Sequence, residues 1–168
     1  MSYVSASPST APRTVIVGIG NWLLSDEGVG VHVASALKDQ LNGYPNVTVI
    51  DGGTSPDSLL LLDDVERLVI VDAVKGGLRP GTVYRFTGEG IEYHKSLTVS
   101  LHEWSVADSL TAMLLLGRMP RETVVIGVEP ELMDFGTRLS DAVKDSLPEV
   151  MRLVFNEIQA NRLEGGTG

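Results

Sequence analysis

The chain alternates between short β-branched apolar runs and longer stretches with apolar residues at helical spacing. Thr14 to Val17 is a compact apolar run and reads as a buried strand. It breaks at Gly18-Ile19-Gly20-Asn21, and a helix is expected to restart near Ser25-Asp26. Val29, Val33, Ala36, Leu37 and Leu41 then share one helical face, which Asn42-Gly43 and Pro45 terminate. Asn46 to Ile50 predicts a second strand ending at Asp51, with Gly52-Gly53-Thr54 directly after it as a loop. Ser55-Pro56 suits a helix start, with Leu59 to Leu62 as its apolar side. Arg67 to Val71 is a third strand, ending at Asp72.

The next stretch, Ala73 to Gly81, is too short and too glycine-rich for a crossover helix. The strand that follows, Thr82 to Phe86, is therefore expected to run antiparallel, at an edge. Ser100-x-x-Glu103 has the form of a capping box. It predicts a helix carrying Val106, Leu110, Met113 and Leu114 up to Gly117, with His102 in its first turn. Thr123 to Val128 is the last strand, ending at Glu129, and Val143, Leu147, Val150, Val154 and Ile158 mark a long final helix. The expected fold class is α/β: a three-layer α/β/α sandwich around a five-stranded, mostly parallel sheet with one antiparallel edge strand, ordered 2-1-3-5-4. Residues 1–12 are expected to be a flexible tail, 13–164 a single α/β domain and 165–168 a frayed end.

Charge and composition narrow the partners. Lys plus Arg is 13 and Asp plus Glu is 22, a formal net charge of −9. Such a chain, without a basic stripe, is a poor ligand for nucleic acid or an anionic membrane. Cysteine is absent, which removes disulfides, thiolate nucleophiles and thiolate metal sites together. No apolar run approaches the ~20 residues of a membrane helix. Residues 1–12 lack the basic start and apolar stretch of a signal peptide, so a soluble, cytoplasmic protein is expected.

Gly18-x-Gly20 after a strand invites a dinucleotide-binding reading. That motif needs a small residue three places on, where this chain has Leu23, and no phosphate-loop Gly-Lys-Ser/Thr is present. A nucleotide-binding enzyme stays as a rival class that Leu23 argues against. In open α/β sheets ligands bind at the carboxyl ends of the strands. There this chain gathers Gly18 to Glu27, Asp51, Asp72 and Glu129, joined by His102 from a helix start. Each has a local explanation: Asp caps turns, Glu complements a helix dipole, and a lone His is usually structural. His32 lies off its helix's apolar face and is expected to be solvated. Their convergence on one edge makes Glu27, Asp72 and His102 a candidate metal triad. Oxygen and nitrogen donors suit nickel, zinc, manganese or iron, and three ligands leave positions open for substrate. His102-Glu103 is not a zinc-protease HExxH motif, because the fifth residue is Val106.

Gly18-Ile19-Gly20-Asn21, Leu24-x-Asp26-Glu27-Gly28-x-Gly30, Asp51-Gly52-Gly53-Thr54, Val71-Asp72-Ala73 and Ser100-Leu101-His102 occur in that order. In this the chain resembles the hydrogenase maturation endopeptidases. The resemblance implies an enzyme that removes the C-terminal extension from a nickel–iron hydrogenase large-subunit precursor after nickel insertion. It places the family's nickel-recognising Glu, Asp and His on Glu27, Asp72 and His102, with nickel carried by the substrate and no organic cofactor. Asp51 then becomes a candidate catalytic base, and Asn21, Gly52, Gly53 and Thr54 candidate substrate contacts. One departure stands at Pro56, where many members carry glycine. No Ser–His–Asp or Cys–His set is legible, so metal-assisted hydrolysis is the expected chemistry. The alternative is a nickel-binding assembly factor that does not hydrolyse.

Overall fold

A computed structural model describes residues 13–87 and 105–164 of the chain. His102, and with it the expected Ser100–Glu103 capping box, lies outside the described residues. Five strands form one sheet: β1 (Thr14–Ile19), β2 (Val47–Gly53), β3 (Arg67–Ala73), β4 (Val83–Thr87) and β5 (Glu122–Val128). Their order is β2-β1-β3-β5-β4, with β4 antiparallel to β5 and every other pair parallel. The expected order and edge strand are therefore observed. Among the described residues the helices are α1 (Val29–Gln40), α2 (Val106–Leu115) and α3 (Asp141–Glu164).

The near-continuous apolar character of β1, β3 and β5 follows from burial on both faces. Ile16, Val69, Val71, Val124 and Ile126 turn towards α1 and α3. Their alternates Val15, Val17, Leu68, Ile70 and Val125 turn towards α2 and the short 3-10 segment Pro56–Leu61. The parallel strands finish in step, since Gly18 pairs with Asp51 on one side and Val71 on the other. Their carboxyl ends therefore form one edge. At the opposite edge Glu157 of α3 bridges Arg67 at 2.6 Å and Arg85 at 2.7 Å, and Asn161 Nδ2 donates to Thr14 Oγ1 at 2.7 Å.

Two expectations shift. Ala36 is exposed, while Val29, Val33, Leu37 and Leu41 are buried as expected and are joined on the buried face by Gly30, Val31 and Ala34. β2 continues through Gly53, so the glycine pair ends a strand rather than opening a loop. The capping box of α2 is made by Ser105 and Asp108: Ser105 Oγ accepts from Asp108 N–H, and Asp108 Oδ2 from Ser105 N–H.

Candidate active site

The site is built on the turn after β1. Ile19 ends the strand, Asn21 Oδ1 accepts from Leu23 N–H at 2.9 Å, and a 3-10 turn, Ser25–Gly28, leads into α1. That turn is fully inside the protein, with Asp26 0% and Glu27 4% exposed. Glycine makes this possible. Gly20 has φ +145°, and a Cβ there would strike the carbonyl oxygen of Glu27. A Cβ on Gly18 would strike the carbonyl of Gly30, and one on Gly30 the carbonyls of Ile19 and Val71. The small residue that lets a helix lie against the strand is thus Gly30, beyond the inserted 3-10 turn. The spacing from Gly20 to Leu23 could not reveal it.

The two carboxylates of the pair do different work. Asp26 Oδ2 accepts from Glu131 N–H at 2.9 Å, Leu132 N–H at 2.8 Å and Ser140 Oγ–H at 2.8 Å, and Oδ1 accepts from Ser140 N–H at 2.7 Å. Further bonds join the same two segments: Ser25 N–H to Gly136 O and Gly136 N–H to Leu23 O, both 2.9 Å, and Ser25 Oγ–H to Asp134 O at 2.9 Å. Asp26 is the structural residue that sequence reasoning missed. Its partners lie 105 to 114 positions away, and no local pattern announces them.

Glu27 is brought to Asp72. Asp72 sits near the end of β3, 7% exposed, with Oδ1 accepting from Ala73 N–H at 2.8 Å. Burial pushes its carboxyl up to about 8; the Ala73 bond opposes this, and the nearby Glu27 charge adds to it. Two buried carboxylates in electrostatic contact, one driven to hold its proton, would be relieved by a cation between them. Among the described residues no cluster of three or more His, Asp or Glu is arranged to hold a metal, and the expected third ligand, His102, lies outside them.

The other expected residues divide. Asp51 is exposed and neighbours Gly18, but its Oδ1 accepts from Gly53 N–H at 2.9 Å. Gly53 has φ +55°, and its carbonyl accepts from Gly20 N–H at 2.8 Å, knitting the ends of β1 and β2. Gly52 is half-buried over Ile19 and Val17, and Thr54 is exposed. Pro56 is buried at the head of the 3-10 segment, where a fixed φ and a missing N–H suit it. Glu129 holds the edge strand: its Oε2 accepts from Tyr84 Oη–H at 2.6 Å and Gly76 N–H at 2.7 Å. His32 is not solvated as expected. It stacks on Trp22 with ring centroids 3.9 Å apart, its Nε2 is buried without a hydrogen-bond partner, and desolvation lowers its pKa against a backbone bond to Thr137.

Comparison with known proteins agrees with this fold. The family model described as "Hydrogenase maturation protease" matches residues 31–157. The hydrogenase expression/formation protein HoxM of Azotobacter vinelandii is 36% identical over 149 residues, 86% of this chain and 71% of that one. The hydrogenase maturating endopeptidase HybD from E. coli superposes with a TM-score of 0.78 at 26% identity, over 88% of this chain and 93% of that one. The [NiFe] hydrogenase maturation protease HybD from Thermococcus kodakarensis does so with a TM-score of 0.72 at 34% identity, over 86% and 97%.

Proposed function

Because this chain belongs to the hydrogenase maturation protease family, we propose that it is an endopeptidase removing the C-terminal extension of a nickel–iron hydrogenase large-subunit precursor once nickel is in place. The observation that carries the nickel-reading part is the buried Glu27–Asp72 pair. Burial first, and the neighbouring Glu27 charge in addition, make Asp72 hold a proton. A precursor presenting a divalent ion at the strand ends lets Asp72 release that proton, so docking of a metal-loaded substrate is favoured over a metal-free one. His102 would add a neutral nitrogen donor. The substrate's own groups complete the coordination, which a set of two oxygens and one nitrogen leaves open.

In this reading Asp51 is the general base. Its carboxylate is solvent-facing at the end of β2, oriented by Gly53 N–H. It takes a proton from water, whose oxygen adds to the scissile carbonyl carbon. The C–N bond then breaks, and the leaving amine takes the proton back. The exposed Thr54 and the half-buried Gly52-Gly53 backbone flank that position and contact the substrate chain. The side-chain oxygen of Asn21 is engaged by Leu23 N–H, so Asn21 acts by shaping the turn.

The test is incubation of the purified chain with matched precursor, nickel-loaded and nickel-free, read by intact mass. Loss of a C-terminal peptide from the loaded form alone is the expected result. Equal processing of both forms would refute nickel reading, and processing of neither would refute the peptidase.

A further inference from the structure

Beside the buried carboxylates lies a surface that folding does not explain. Trp22 is 41% exposed, Leu23 58%, Leu132 43% and Phe135 90%. A phenylalanine almost wholly in water contributes nothing to a core, and scattered single cases need no explanation. These four are not scattered. Leu23 O accepts from the N–H of Gly136, the residue after Phe135, and Leu132 O accepts from Asp26 N–H at 3.0 Å. The two loops are thus bonded into one unit, with Leu24 and Gly136 forming a parallel bridge. Trp22 is steadied from behind by the His32 ring, and His32 in turn bonds the backbone of Thr137 from the second loop. The unit is rigid because Asp26 holds it, at the cost of burying a carboxylate.

We infer that Trp22, Leu23, Leu132 and Phe135 form a docking rim for the substrate polypeptide, gripping a precursor segment that carries apolar side chains flanked by Lys or Arg. The inference rests on the peptidase reading above and names where the substrate is held. Continuity with the site is one argument: Leu23 stands four residues before Glu27, and Leu132 is bonded to Asp26, so the rim is built on the same turn that carries Glu27. Charge is the other. Glu131 and Asp134 are exposed beside Leu132 and Phe135, against one exposed cation in that loop, Arg138, on a protein of net charge −9, and this excess selects basic neighbours on the partner. Preorganised aromatic anchors of this kind carry most of an interface's affinity.

The experiment compares the wild-type chain, Phe135→Ser, the double variant Leu132→Ser/Phe135→Ser, and a control, Leu163→Ser. Leu163 is 77% exposed on α3 at the opposite edge of the sheet. Binding to uncut hydrogenase precursor is measured by calorimetry, and cleavage by kcat and KM. Phe135→Ser should weaken binding about tenfold and the double variant further, as for an anchor worth more than ~1 kcal/mol. KM should rise while kcat changes little, melting temperatures should stay together, and Leu163→Ser should match wild type. Glu131→Gln/Asp134→Asn should slow association, and an unchanged rate would remove the basic flank from the proposal. Precursor bound and cut equally by wild type and Phe135→Ser overturns the rim and leaves the peptidase standing. Precursor bound but never cut overturns the peptidase alone, and the binding series still reads the rim. A wild-type dimer that Phe135→Ser dissolves, with precursor binding unaffected, makes the rim a self-interface and overturns the proposal. No binding by wild type overturns both.

Discussion

Asp72→Asn should make this protein more stable at neutral and alkaline pH, by an amount that grows with pH up to about 8. Asp72 is an acid whose folded pKa, about 8, lies above its ordinary 3.8. Below 3.8 both states carry the proton and burial costs nothing extra. As pH rises the unfolded chain ionises while the folded one holds its proton, so stability falls, and the loss levels off above about 8. At pH 7 the difference of about three pH units corresponds to a ceiling of about 4 kcal/mol. Asparagine keeps the bond from Ala73 N–H to Oδ1 and removes the ionisation. In a domain of this size each kcal/mol moves Tm by roughly 2–4 °C, so a gap of up to about 8–16 °C should open between pH 4 and pH 8. The assay is thermal unfolding of wild type and variant across that range with chelator present. Nickel added in place of the chelator should stabilise wild type more than the variant. Parallel Tm–pH curves would refute the argument, because they would mean that Asp72 ionises alike in both states.

Asp26→Ala should destabilise by about 3–5 kcal/mol in denaturant unfolding, since it strips the shared buried acceptor from three backbone donors and a hydroxyl. It should also lower cleavage of precursor in proportion to the fraction no longer folded. Gly30→Ala should cost several kcal/mol or prevent folding, measurable as lost soluble yield or a lowered midpoint, because the new methyl meets two backbone carbonyls that cannot both retreat. Glu157→Ala should cost about 3–5 kcal/mol by leaving buried Arg67 without this carboxylate, with kcat unchanged because the pair lies at the far edge from Glu27.

The sheet was legible because its strands are short β-branched runs buried on both faces, and because no helix fits between Ala73 and Gly81. That gap alone put β4 antiparallel and outside. The meeting of Glu27 and Asp72 was legible from the rule that strand ends converge. What escaped was everything that depends on distant partners. Asp26 and Glu27 look interchangeable in sequence, yet one faces the loop of residues 131–140 and the other faces Asp72. His32 is polar and off the main apolar face, and only Trp22 folding back over it decides that it is half-buried. Gly30 was invisible as a packing residue because the 3-10 turn moves it out of the familiar spacing.

The Asp26 contacts tie the making of the site to the making of the chain. Synthesis runs from the N-terminus, and domains fold as their parts emerge. The Glu27 turn leaves the ribosome early, but the donors that hold it, up to Ser140, emerge more than a hundred residues later. A nascent or broken chain lacking that stretch has Glu27 on an untethered loop and none of the apolar rim's second half. Such a chain could hold much of the sheet and still be unable to grasp or cut a precursor. A peptidase of this design is silent until the chain as far as Ser140 has been made.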